Sequence, residues 1–177
     1  MARLELGVDE IRALLTELGE RLQAQGVAAS IYVAGGAAIA LEFDQRRVTE
    51  DIDAVFHPIT TVREQATALA EEHGLSHRWL NDSIRAILPR GDDGAVVLDN
   101  PGLAVSLASP EHLVAMKMAA FRPRDIPDLE LLFRELGISS PEAAAEIALA
   151  VYGEGSVVLP ERDELILSAR AVLNRMK

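Results

Sequence analysis

Apolar positions along this chain recur at about 3.6 residues in some stretches and about 2 in others, and that alternation predicts the elements. Over residues 9–25, Ile11, Leu14, Leu15, Leu18 and Leu22 fall on one helical stripe, and Gly26 follows where a helix ends most easily. Ser30-Ile31-Tyr32-Val33-Ala34 reads as a short buried strand ending at Gly35-Gly36, after which the small-residue run Ala37-Ala38-Ile39-Ala40-Leu41 predicts a helix able to pack closely on a sheet. A second strand spans Asp51 to Phe56 and is closed by Pro58; Thr61 to His73 form another amphipathic helix. Shorter strands are expected at Ile84 to Leu88, Ala95 to Leu98 and Leu103 to Leu107. The turn signals Arg90-Gly91-Asp92-Asp93-Gly94 and Asp99-Asn100-Pro101-Gly102 separate them.

Everything after Ser109 reads as helix. Ser109-Pro110-Glu111 supplies an N-cap with proline at the first helical position, and Ser139-x-x-Glu142 with Pro141 reads as a capping box. Asp125 opens a helix through Leu129, Leu132, Phe133 and Leu136 to Gly137, and a last helix occupies roughly Arg162 to Met176. The expected fold class is α/β in the α+β sense, a mixed sheet with flanking helices. The expected organisation is an α/β core over residues 1–108 and a helical part over 109–177 packed on that core, which suits a chain of 177 residues.

Composition narrows the function classes. Apolar residues make up 49% of the chain but are scattered, with no run of about 18 or more, so no membrane span is expected. Met1-Ala2-Arg3-Leu4-Glu5 lacks the basic and apolar blocks of a secretory signal, and cysteine is absent, so a cytoplasmic location is expected and any metal must be held by oxygen or imidazole. The four histidines, His57, His73, His77 and His112, show no zinc-like pairing beyond His73-x-x-x-His77, which Gly74 interrupts. A net charge of −11 argues against non-specific coating of nucleic acid. Local basic groups remain at Arg46-Arg47, at Arg78, Arg85 and Arg90, and at Lys117, Arg122 and Arg124. For the Arg78 to Arg90 set, scattered solvated charge is an equally good reading.

The candidate chemistry gathers at one place. Gly35-Gly36 at the end of a buried strand lets backbone approach a ligand and turns the first N–H groups of the next helix toward an anion. In Thr49-Glu50-Asp51-Ile52-Asp53, strand alternation puts Asp51 and Asp53 on one face and Ile52 toward the core. Two such carboxylates repel unless a cation lies between them, and hard oxygen ligands suit Mg²⁺, with Mn²⁺ as a substitute, bridging to substrate phosphates. Each residue also has a plainer reading. The glycines would serve any tight turn, the aspartates could face solvent, and Lys117 could be a lysine whose stem lies along apolar surface while its ammonium reaches water. Asp125 is also a good N-cap for its helix. Trp79-Leu80-Asn81-Asp82 reads as structural, the tryptophan as an anchor and the polar pair as turn hydrogen-bonders.

Taken in order, Gly35-Gly36, the small-residue helix, Arg47-x-Thr49 and Asp51-Ile52-Asp53 resemble the DNA polymerase β-like nucleotidyltransferase superfamily. The closer resemblance is to bacterial minimal nucleotidyltransferases related to abortive-infection (AbiEii-like) toxins. It extends through Trp79-Leu80-Asn81-Asp82, Leu103-Ala104-Val105-x-x-Ala108-Ser109-Pro110-Glu111 and Lys117-x-x-Ala120-x-Arg122-x-x-Asp125-Ile126-x-Asp128, covering about residues 28 to 137. The resemblance implies transfer of a nucleotide from a nucleoside triphosphate to an acceptor. In the toxin branch the acceptors are tRNA ends or protein hydroxyls, and an antitoxin protein is a further expected partner. It implies Asp51 and Asp53 as metal ligands, and Gly35, Gly36, Arg47, Thr49 and Lys117 as the triphosphate-binding set. Many superfamily members carry a third carboxylate on a later strand, which Leu103 to Leu107 does not supply. The relatives use a helical lysine and a following aspartate instead, which map onto Lys117 and Asp125. The missing strand carboxylate keeps a second expectation open, a nucleotidyltransferase fold without catalysis that binds nucleotide or a partner.

Overall fold

The computed structural model describes residues 5–177. The absence of a secretory signal was read on Met1-Ala2-Arg3-Leu4-Glu5, of which residues 1–4 lie outside the described part. The chain divides into two units: one runs through Ala86 and resumes over Ala95–Ala108, and the other comprises Ile87–Gly94 and Ser109–Lys177.

In the first unit, α1 (Val8–Ala24) buries its whole predicted stripe, Ile11, Leu14, Leu15, Leu18 and Leu22. Each such side chain contributes roughly 1.5–3 kcal/mol by leaving water. The sheet contains β1 (Ser30–Val33), β2 (Ile52–His57), β3 (Leu80–Asn81), β4 (Val96–Leu98) and β5 (Ala104–Leu107) in the order β3-β2-β1-β5-β4. β1 is antiparallel to β2 and parallel to β5, β3 runs parallel to β2, and β4 is antiparallel to β5. The sheet is therefore mixed, as the sequence reading expects. Helices α2 (Gly35–Glu42) and α3 (Ile59–His73) both pack with α1 and with β2.

Two contacts fix this unit. A Cβ on Gly19 of α1 would lie 2.0 Å from the Pro101 carbonyl oxygen, so only glycine lets α1 meet the turn between β4 and β5. The Asn100 side chain then donates to the Leu15 carbonyl at 3.1 Å. Trp79 is buried and its indole N–H donates to the Ala66 carbonyl at 2.8 Å, which ties α3 to the entry of β3.

One predicted strand is absent: Ser83–Ala86 is a 3₁₀ turn, and Ile87 and Leu88 lie in no strand. The Asn81 side chain accepts the Ser83 N–H at 3.1 Å and the Arg85 N–H reaches the Asp82 carbonyl at 3.0 Å, so local polar partners curl the segment. In its place the two residues Leu80–Asn81 pair with Ile52 and Asp53.

The second unit is helical: α4 (Pro110–Ala120), α5 (Ile126–Glu135), α6 (Pro141–Tyr152) and α7 (Arg162–Arg175). α4 packs on α5, α6 and α7, and the small buried face of α6, Ala144, Ala145 and Ala148, permits close approach. Ser109 caps α4 as expected, its hydroxyl accepting the His112 N–H at 3.3 Å. The cap of α6 is Ser140 and not Ser139, with Ser140 Oγ accepting the Ala143 N–H at 3.2 Å. Pro141 at the first helical position forces its immediate predecessor into the extended cap conformation, which fixes the register. No helix among the described residues is long and apolar enough to cross a membrane.

Candidate active site

The first unit brings six of the predicted site residues together. β1 runs out at Val33 between two neighbours: the Ala34 N–H donates to the Asp53 carbonyl at 2.9 Å and the Ala108 N–H to the Val33 carbonyl at 2.8 Å. The chain then turns into α2 through Gly35, whose φ of +62° lies in the left-handed region. A Cβ there would come 3.0 Å from Asp53 Oδ2, so this glycine answers both to backbone angle and to the carboxylate beside it. A Cβ on Gly36 would lie 3.1 Å from Thr49 Oγ1 and 3.4 Å from Arg47 Nη2. Gly35, Gly36, Arg47, Thr49 and Asp53 thus line the start of α2, and the Thr49 hydroxyl donates to the Asp51 carbonyl at 3.0 Å.

β2 alternates as expected, burying Ile52, Ala54 and Phe56 and leaving Asp53 half-buried on the other face. Two residues read from sequence only as turn formers, or not at all, complete the cluster. Asn81 Nδ2 donates to Asp51 Oδ2 at 3.2 Å, and Ser83 Oγ lies 3.2 Å from Asp53 Oδ1. The two carboxylates are thereby held by a neighbouring amide and a neighbouring hydroxyl. A two-residue strand has too few positions to show a period, so nothing in the sequence pattern exposes Asn81 as a partner of Asp51.

Lys117 and Asp125 belong to the second unit, where they meet each other. Lys117 Nζ lies 3.1 Å from Asp125 Oδ1 and 2.7 Å from Asp128 Oδ2, and all three side chains are buried. The reading of Lys117 as a water-reaching surface lysine is therefore corrected, because two carboxylates draw the ammonium inward. Asp125 takes the N-cap position of α5 but its carboxylate makes no cap bond there. It accepts instead from the Arg122 backbone N–H at 3.1 Å and Arg122 Nε at 3.0 Å. Burial alone would push the Asp125 carboxyl up, but the Lys117 ammonium and the Arg122 bonds outweigh it and hold it below the usual carboxylate range. Asp128, which the resemblance carried without a role, makes the shorter contact to Lys117. Phe121 ends α4 in the left-handed region at φ 38°, an unusual conformation for a bulky residue, and redirects the chain between the lysine and its two partners.

His57, His73 and His77 are exposed and His112 is buried. Among the described residues no group of three or more His, Asp or Glu side chains could hold a metal ion.

A mixed sheet whose central strand feeds a glycine-started helix, with Asp53 on the adjoining strand and Asp51 just before it, is a nucleotidyltransferase fold. The crystal structure of an antigenic nucleotidyltransferase-like protein from Paracoccidioides brasiliensis shares it, with a TM-score of 0.53 and 18% identity over 97% of this chain and 91% of that one. Residues 9–136 match the family described as "Nucleotidyltransferase of unknown function (DUF6036)", and the chain belongs to that family. A search of curated proteins finds no match.

Proposed function

We propose that the protein transfers a nucleotide from a Mg²⁺-bound nucleoside triphosphate to an acceptor hydroxyl. The observation that carries this reading is the approach of Gly35 to Asp53, which sets the first N–H groups of α2 beside a carboxylate of the Asp51/Asp53 pair. The donor set supports a hard divalent ion. Asp51 and Asp53 offer only oxygen, Asn81 and Ser83 orient them, and two carboxylates plus phosphate oxygens and water are what Mg²⁺ ordinarily takes. When bound, the ion supplies charge neutralisation for the phosphates. The chain's own residues do the rest. The α2 N–H groups and the Arg47 guanidinium attract the phosphates, Thr49 fixes the Asp51 backbone, and Asp53 receives the acceptor's hydroxyl proton. The roles the resemblance implies for Lys117 and Asp125, a phosphate-attracting ammonium and an assisting carboxylate, form no part of this proposal, because the ammonium is taken up by Asp125 and Asp128 within the second unit.

The resemblance to AbiEii-like enzymes supports a finer reading, transfer to tRNA ends by the toxin of a toxin–antitoxin pair. Arg46 is exposed next to Arg47, which supports a few phosphate contacts on an otherwise acidic protein. The test incubates the protein with Mg²⁺ and each labelled triphosphate in turn, with total RNA or soluble cell protein as acceptor. Label in tRNA is expected, weakened by salt and by Arg46→Glu with Arg47→Glu. Label only in protein overturns the RNA acceptor and leaves nucleotide transfer standing. A second reading, a nucleotide- or partner-binding module without catalysis, is favoured by one specific feature: β5, Ala104–Leu107, carries no carboxylate. Triphosphate bound without label in either pool would select it.

A further inference from the structure

We propose that Ser83 is a self-modification site, at which the protein transfers a nucleotide to its own hydroxyl. The inference rests on the nucleotide-transfer reading above and adds an acceptor within the same unit. Ser83 is exposed, and its Oγ lies 3.2 Å from Asp53 Oδ1. A serine hydroxyl donating to a carboxylate, oriented by a third side chain, is the arrangement of a nucleophile with its base. The third side chain here is Asn81. Its Oδ1 accepts the Ser83 backbone N–H at 3.1 Å and lies 2.5 Å from Ser83 Oγ, while its Nδ2 donates to Asp51 Oδ2 at 3.2 Å. Ser83 carries one hydroxyl proton for two acceptors. The shorter contact is to Asn81 Oδ1, so the proton rests there, and rotation of the hydroxyl brings it to Asp53 Oδ1, 3.2 Å from the same oxygen. The Thr49 hydroxyl is committed differently, its proton going to the Asp51 carbonyl at 3.0 Å.

In the reaction, Ser83 Oγ attacks the α-phosphorus of the nucleoside triphosphate and an Oγ–P bond forms. The bond from that phosphorus to the oxygen bridging to the β-phosphate breaks, and pyrophosphate leaves with the electron pair. The hydroxyl proton passes to the Asp53 carboxylate. The product is a phosphodiester joining Ser83 to a nucleoside monophosphate. It removes the hydroxyl donor from Asp53 and leaves a nucleotide over the two aspartates, so one modification per chain is expected and the modified chain is closed to other acceptors.

The test incubates the purified full chain with Mg²⁺ and each of the four nucleoside triphosphates separately, without acceptor, followed by intact-mass spectrometry and peptide mapping. The expected result is a gain of one nucleoside monophosphate, mapped to Ser83, lost in Asp53→Asn and Ser83→Ala and kept in Ser83→Thr. Mapping on the unmutated chain decides the site, so a folding defect in any variant does not obscure the result. A readout independent of turnover is Mn²⁺ binding followed by electron paramagnetic resonance, in which purified modified chain should bind the ion more weakly than unmodified chain; equal binding would overturn the blocked state. An adduct at another residue, or none while label enters RNA or protein, overturns the Ser83 assignment and leaves the nucleotide-transfer reading intact. No adduct together with no triphosphate binding overturns both.

Discussion

Replacing Lys117 by methionine keeps the aliphatic stem and removes the charge that two buried carboxylates share. Side-chain exposures are 10% for the lysine, 5% for Asp125 and 2% for Asp128, with contacts of 3.1 and 2.7 Å. At these distances the gross attraction is on the order of 5 to 6 kcal/mol per pair with an effective dielectric near 20, and desolvation of three ions offsets much of it. What the substitution exposes is the cost of buried carboxylates deprived of their cation, about 3–5 kcal/mol when one partner of a buried pair is removed. Arg122 still bonds Asp125, which favours the lower end of that range. For a chain of this size each kcal/mol moves the melting temperature by about 2–4 °C, so Lys117→Met should melt about 6–20 °C lower at neutral pH. Circular dichroism melts of the wild type, Lys117→Met, Asp128→Asn and the double variant give the cycle. The two losses should be strongly non-additive, with the double variant about 2 kcal/mol or more better than the sum of the singles. A shift below about 2 °C, or simple additivity, would refute the claim that this cluster is an interdependent buried network.

Further outcomes follow from the same geometry. Because the Asp125 carboxyl is held below its unfolded value near 4, its contribution is fully present above about pH 4 and is lost as pH falls through the folded value; acid denaturation of Asp125→Asn should therefore be less steep over that window than that of wild type. Gly35→Ala should cost about 1–2 kcal/mol from its left-handed backbone and also lose triphosphate binding, because the new methyl meets Asp53 Oδ2 at 3.0 Å; unchanged titration calorimetry with Mg²⁺ and triphosphate would contradict this. Asp53→Asn should abolish Mg²⁺-dependent triphosphate binding without lowering the melting temperature of the metal-free chain, and retained binding would remove the metal assignment. Gly19→Ala should cost about 1–3 kcal/mol, since its Cβ would fall 2.0 Å from the Pro101 oxygen, yet leave triphosphate binding per folded molecule unaltered.

Everything governed by local period and local chemistry is readable from the residues alone. The α1 stripe, the proline-started helices and the alternation that turns Ile52 inward and Asp53 outward are properties of neighbouring residues, so they are legible without knowing the fold. The ordered spacing from Gly35-Gly36 to Asp51-Ile52-Asp53 likewise carried a resemblance of which the match over residues 9–136 supports the nucleotidyltransferase part. Tertiary structure decided what depends on partners distant in sequence. Asn81 reaches Asp51 across thirty residues, and Ser83 reaches Asp53 across the same interval, through a parallel pairing too short to leave a periodic signature. Neither reading of Lys117, as a triphosphate-binding residue or as a surface lysine, includes its ion pairs, because its own helix cannot reveal that Asp125 and Asp128, on the far side of the Phe121 turn, draw its ammonium inward. The strand expected at Ile84 to Leu88 was lost for a related reason. Its apolar residues suit a strand, but the Asn81 side chain and the Asp82 carbonyl capture the backbone N–H groups that a sheet would have used.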